Sequence, residues 1–288
     1  MAFRVYFYFM VVMTLALLAI CLYLSIREPY SAGQLISYTP ARILMKRPIY
    51  IYFHVCGILK WKNIVKKLFD YLEKLDAFSI ISELRVCILG SKKVIDDNIW
   101  NYHHKIKIHA TDPNPKLYER FTLDRLREDS KKESFDVFYM HSKGITRATT
   151  IAKKTKHLND WIDQMMKSCW IDYAKVLFNL QNYDAVGVLL TNNTIGAHFS
   201  GNFWWSKSDY LKDKGDIGPG YLDAERWILS SDGCRALNLS KETTFAPEYI
   251  RKGCPAPGSY TVFDSKCMNC FKHTRGKATG QKYLAKRA

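Results

Sequence analysis

The sequence predicts an α/β fold: a mainly parallel, Rossmann-like sheet with helices on both faces, preceded by an N-terminal transmembrane helix. Three observations predict it. Residues Val5 to Ile26, "VYFYFMVVMTLALLAICLYLSI", carry no charge and are long enough to cross a bilayer as a helix. Beyond them, short β-branched and aromatic runs alternate with segments of helical periodicity, the signature of a parallel sheet built by crossovers. And 288 residues, 48% of them hydrophobic, suffice to bury a large core.

The apolar run is longer than a signal-peptide core and no clear small-residue cleavage site follows, so residues 1–26 read as an uncleaved anchor. Tyr6, Tyr8, Tyr23 and Tyr30 suit the two interfacial belts. Residues 27–47, with Pro, Gly and Ser and no strong periodicity, read as a stem. The side of the membrane is left open. Arg27, Arg42 and Lys46 favour a cytosolic domain, whereas "NNT" at Asn192 and "NLS" at Asn238 would permit glycosylation in a lumen.

The globular part spans residues 48–250. "PIYIYFHVCG" from Pro48 predicts the first strand. "WKNIVKKLFDYLEKL" predicts a helix with Trp61, Ile64, Leu68, Leu72 and Leu75 on one face. "LRVCILG" from Leu84 and "KIKIHA" from Lys105 predict two more strands, and "NPKLYERFTLDRLRED" from Asn114 a helix with Pro115 near its start. "FDVFYMHSKG" from Phe135 predicts a strand running into a loop. A long helix over His157 to Leu180 and a buried strand "YDAVGVLL" from Tyr183 follow. Residues 251–288 read as a basic, Cys-containing tail. There Cys254, Cys267, Cys270 and His273, with Cys234 as a further partner, fit zinc binding or disulfides about equally.

Lys and Arg number 43 against 27 Asp and Glu, a formal +16, which favours anionic partners: nucleic acid, acidic lipid or a phosphorylated small molecule. No zinc-finger spacing of the DNA-reading kind, RNP-like strand or continuous basic helix is present, so nucleic acid is not the expected partner.

In an open α/β sheet ligands gather at the C-terminal ends of strands. That rule directs attention to His54, to Asp96 and Asp97 in "VIDDN", and to His141, Ser142, Lys143 and Gly144 in "YMHSKG". Lys and His donate to an anionic group while Gly allows close approach, a set suited to a diphosphate. Asp96 and Asp97 suit a ribose, a metal or a turn cap, and His54 suits the site or the core. "HFSGNFWWSK" offers Ser200, Gly201, Asn202, Trp204 and Trp205, with amide and aromatic surfaces suited to a sugar ring. "YLDAERWIL" puts Asp223 and Glu225 in the first turn of a helix, where one carboxylate could act as general base.

Taken together and in this order, "FYMHSKG", the helix containing Trp161, "YDAVG", "HFSGNFWWSKSDYL" and "YLDAERWIL" resemble a family of GT-A-like glycosyltransferases of bacteria and large DNA viruses. The resemblance covers roughly residues 48–229. It implies transfer of a sugar from a nucleotide-diphosphate donor to a hydroxyl of a glycan or glycoconjugate, by an enzyme held at a lipid membrane through its N-terminal helix. In this reading His54, Asp96, Asp97, His141, Lys143 and Gly144 bind the donor. Ser200, Gly201, Asn202, Trp204 and Trp205 form the sugar or acceptor wall, one Trp facing the site and the other the core. Glu225 leads as base, with Asp223 second. GT-A enzymes usually hold Mn²⁺ or Mg²⁺ through Asp-x-Asp, which this chain lacks. Either Lys143 and His141 offset the diphosphate charge, or ligands such as Asp96 or Asp97 supply a metal site. Two other readings are a glycan-binding or scaffold protein that keeps the fold without the reaction, and a basic, polyanion-binding membrane protein.

Overall fold

The computed structural model describes residues 47–142, 152–193, 196–240, 261–264 and 272–273. The expected anchor, nearly all of the stem, Lys143, Gly144 and the tail cysteines lie outside these residues. Among the described residues no helix is long and apolar enough to cross a membrane.

The first half follows the predicted alternation. Strand β1 (Ile49–Cys56) leads to helix α1 (Trp61–Lys74) and the single turn α2 (Ala77–Ile80). Strand β2 (Glu83–Leu89) leads through the turn α3 (Lys92–Ile95) to β3 (Ile106–Asp112). Helix α4 (Arg120–Ser130) and strand β4 (Asp136–His141) complete the half.

The second half is α5 (Ala152–Trp170), α6 (Tyr173–Asn179), β5 (Ala185–Gly187) and a hairpin of β6 (Leu190–Asn193) with β7 (Gly196–Phe199). Then come β8 (Trp204–Lys207), α7 (Ser208–Leu211), α8 (Asp223–Trp227) and β9 (Arg235–Asn238). The sheet order is β3-β2-β1-β4-β8-β5-β9, extended by β10 (Thr261–Asp264) and β11 (Lys272–His273). Strand β8 runs antiparallel to both β4 and β5, while the other pairings among these seven strands are parallel.

Two cores follow from the period of two along each strand. Ile51, Phe53 and Val55 of β1 and Phe138 and Met140 of β4 face α1, α5 and α6. Tyr52 of β1 and Val137 and Tyr139 of β4 face α4, α7 and α8. Two adjacent tryptophans on one strand therefore serve opposite cores, and both Trp204 and Trp205 are 0% exposed. Trp204 stacks on Tyr139 with ring centres 4.9 Å apart. Trp205 packs against Phe138 and Trp170, and its Nε1 donates to the Cys169 carbonyl at 3.0 Å. The expected aromatic wall is corrected here: with the sheet covered on both faces, neither ring is available to a sugar.

Two predicted helices are broken. The one expected from Asn114 becomes a 3-10 turn (Pro115–Leu117), with the Asn114 side chain accepting from Lys116 N, and α4 starts only at Arg120. Between them Tyr118 sits at φ +50° and ψ −157°, a conformation no helix contains. The helix expected over residues 157–180 stops after Trp170, where Asp172 caps α6 by accepting from Lys175 N at 3.3 Å.

On the α4 side, Arg85 of β2 ties the sheet to the helix. Its Nη1 donates to Tyr52 Oη at 2.8 Å and pairs with Glu133 at 2.7 Å, and Tyr52 Oη donates to Asp129 at 2.6 Å. Arg47, last residue of the stem, pairs with Asp209 and Asp136.

Candidate functional site

The C-terminal ends of β1 and β4 and the start of β8 meet at one edge of the sheet. His54 and His141 are register partners there, on adjacent strands, and both side chains face α4. The residue that organises them is Glu119, the last before α4. Its Oε2 accepts from Tyr139 Oη at 2.9 Å and from Asn202 Nδ2 at 2.7 Å, and its Oε1 lies 3.1 Å from His141 Nδ1. The other ring nitrogen of His141, Nε2, donates to the Gly201 carbonyl at 3.0 Å. A carbonyl only accepts, so Nε2 carries a proton. Glu119 Oε1 at 3.1 Å is then the partner of His141 Nδ1, so both ring nitrogens are engaged within the protein.

Asn202 completes the network. It is fully buried at φ +54°, a conformation asparagine tolerates better than most residues, and its Oδ1 accepts from Trp204 Nε1 at 2.7 Å. Before it, Gly201 has φ +103°, and a Cβ there would stand 2.5 Å from Met165 Sδ. Glycine is required twice at this position, for conformation and for space. The Ser-Gly-Asn turn is therefore built to bring a backbone carbonyl and an amide onto His141 and Glu119. Ser200 contributes its backbone N–H, which donates to the Leu189 carbonyl at 3.0 Å.

His54 lies below this layer, its Nδ1 2.8 Å from Thr122 Oγ1. Burial pushes its pKa down to about 4, the Glu119 charge opposing and the His141 charge adding to that effect, so it is neutral near pH 7. Ser142, following His141, accepts from Cys56 N at 3.0 Å and seals the gap between β1 and β4. Burial, reinforced by Glu119 and Glu225, holds the Tyr139 hydroxyl well above its ordinary pKa, so it stays a donor.

The predicted site residues thus divide. His54, His141, Gly201 and Asn202 come together, with Glu225 within electrostatic reach of Tyr139. The Asn202 amide also approaches the Ala224 carbonyl at 3.5 Å, which brings the start of α8 to the same place. Both His141 nitrogens have partners within the protein, so this residue positions the turn rather than presenting a donor to a diphosphate. Asp223 is engaged as well: its Oδ2 accepts from Gly220 N at 2.7 Å and its Oδ1 pairs with Arg226, and these contacts hold its pKa below the usual carboxylate range. That engagement weakens Asp223 as a base.

Asp96 is exposed at the end of α3. Asp97 caps the next turn by accepting from Ile99 N at 2.9 Å and pairs with Lys62 at 2.8 Å. Burial opposes ionisation of Asp97, yet Lys62 and the Ile99 amide hold its pKa low. Among the described residues no three His, Cys, Asp or Glu side chains are grouped so as to hold a metal ion. Cys234 is buried, its Sγ donating to the Ile228 carbonyl at 3.9 Å. Asn238 is fully buried and its Oδ1 accepts from Ser240 Oγ at 3.0 Å, so the second glycosylation triplet is closed to modification in the folded chain, whereas Asn192 is exposed.

Sequence reasoning missed Glu119 entirely. It stood inside a predicted helix, and only the break at Tyr118 turns its carboxylate inward. Fold and site together define an α/β protein with a mostly parallel seven-strand sheet and a buried polar network at the strand C-termini. No protein-family model matches the chain, and no curated protein matches its sequence.

Proposed function

We propose that the protein is a glycosyltransferase with a GT-A-like fold, moving a sugar from a nucleotide-diphosphate sugar to a hydroxyl of a glycan or glycoconjugate. The observation that supports this best is the convergence of His54, Glu119, His141, Gly201 and Asn202 at the ends of β1 and β4, beside the carboxylate-bearing start of α8. Ligands of open α/β sheets bind at this edge.

In the proposed reaction the Glu225 carboxylate takes the proton of the acceptor hydroxyl. The acceptor oxygen forms the new bond to the anomeric carbon, and the bond from that carbon to the diphosphate oxygen breaks, its electron pair leaving with the nucleoside diphosphate. The leaving group gains negative charge, which a fixed positive charge stabilises. Lys143 is the proposed direct partner of the diphosphate. His141 acts from behind, by fixing the Gly201 turn. Asp96, exposed beyond β2, is the carboxylate proposed for the ribose. Residues 1–26 are proposed to hold the enzyme at a membrane.

The test is release of nucleoside diphosphate from a panel of nucleotide sugars by the full chain. Glu225→Gln is expected to lower the rate at least ~100-fold, the usual contribution of a general base, with an unchanged melting temperature. Full activity in that variant would remove Glu225 from the mechanism.

A further inference from the structure

The buried Trp204 and Trp205 leave the aromatic platform of the site to be found elsewhere. Two exposed tyrosines adjoin, in sequence, the elements that build the Glu119 network. Tyr118 precedes Glu119 directly, and Tyr221 lies two residues before α8. Their rings meet edge to face, with centres 5.3 Å apart and planes at 84°, while Tyr118 keeps 42% and Tyr221 63% of its surface exposed. Tyrosine exposed to this degree contributes little core packing.

The backbone at Tyr118 strengthens the case. At φ +50° and ψ −157° it occupies a region that only glycine enters without strain. Every non-glycine side chain is penalised there, and a half-exposed ring is not repaid by burial. Glycine would give the same turn, the same inward Glu119 and a more stable chain. Tyr118 is thus a strained, exposed aromatic residue one peptide bond from the half-buried Glu119 carboxylate, and strain of this kind clusters at ligand contacts.

We propose that Tyr118 and Tyr221 form a ring-binding subsite for the acceptor, stacking on the C–H face of a pyranose whose hydroxyl is directed toward Glu225. This rests on the transferase reading and specifies where its acceptor lies. The edge-to-face arrangement leaves part of each ring open, and a flat C–H surface fits such a face while hydroxyls at its rim reach water. The acceptor is favoured over the nucleotide because Tyr221 lies just before α8, which carries Asp223 and Glu225, whereas the nucleotide is proposed at Asp96 beyond β2 and Lys143 beyond β4. Phenolic rings also suit neutral sugars, adding no charge of their own.

The experiment is saturation-transfer NMR on the full chain with two sets of probes: methyl pyranosides of the gluco, galacto and manno series, and the nucleoside diphosphates UDP, GDP, CDP, ADP and dTDP. The variants are Tyr118→Gly and Tyr221→Ala. Wild type is expected to transfer saturation to the ring C–H protons of at least one pyranoside. Each variant should weaken that signal at least fivefold while leaving the diphosphate signals unchanged, and Tyr118→Gly should melt at the same or a higher temperature. Absence of any pyranoside signal in wild type, or its persistence in both variants, would overturn the subsite. A tyrosine-dependent pyranoside signal without binding of any diphosphate would keep the subsite and overturn the transferase reading instead.

Discussion

Replacing Glu119 separates its hydrogen-bonding role from its charge. In Glu119→Ala three donors lose their acceptor: Tyr139 Oη at 2.9 Å, Asn202 Nδ2 at 2.7 Å and His141 Nδ1 at 3.1 Å. Tyr139 and Asn202 are fully buried, and a buried group left unsatisfied costs about 1–3 kcal/mol. Because the three share one acceptor their costs do not add in full, and a loss of about 3–5 kcal/mol is expected. Glu119→Gln differs. Its carbonyl still accepts from Tyr139 and Asn202, and its amide donates to a neutral His141 Nδ1 while Nε2 keeps the Gly201 carbonyl. Only the charge assistance is lost, about 1–2 kcal/mol. Urea denaturation of the full chain, with coincident fluorescence and circular-dichroism transitions, measures both. Equal costs for the two variants would refute the network described above.

Three further outcomes follow from the same structure. Gly201→Ala should cost about 1–4 kcal/mol in denaturant melts, from its φ of +103° and its 2.5 Å approach to Met165 Sδ. Stability should fall on acidification in two windows. Unfolded His54 takes a proton near pH 6.5 but folded His54 only near pH 4, so up to about 3 kcal/mol is lost as pH drops between these values. Asp129 is held below its ordinary range: burial opposes ionisation, but the Tyr52, His109 and Arg85 contacts outweigh it, so its contribution, present above about pH 4, is lost as pH falls further. Urea midpoints across pH 3–8 test both windows, and His54→Gln should flatten the upper one only. Asp223→Asn should leave the transfer rate within ~3-fold of wild type, since its oxygens are engaged with Gly220 and Arg226, and nucleoside-diphosphate release measures it.

The alternation of strand and helix from Pro48 to His141 was legible because each strand there is long enough to show its period and each crossover long enough to separate them. Strand β5 was legible within "YDAVGVLL", but β6 to β9 are only four residues each, too short for periodicity to register, and the β6–β7 hairpin passed as a loop. The Trp pair was misread for a reason of geometry. Alternation says that Trp204 and Trp205 point to opposite faces, but only the tertiary fold says that both faces are covered. His141, Gly201 and Asn202 were found from their residue types beside a strand end. Glu119 was not, because its place depends on one left-handed residue, Tyr118, in a segment whose propensities all read helical.

Binding of a nucleotide sugar tests the account most directly. In a thermal-shift screen of the full chain against nucleoside diphosphates and their sugars, with and without Mn²⁺, at least one should raise the melting temperature, because a ligand of the folded state must stabilise it. That shift should shrink in Lys143→Ala, which removes the proposed partner of the diphosphate. No shift from any nucleotide at a concentration of about 1 mM would contradict the assignment.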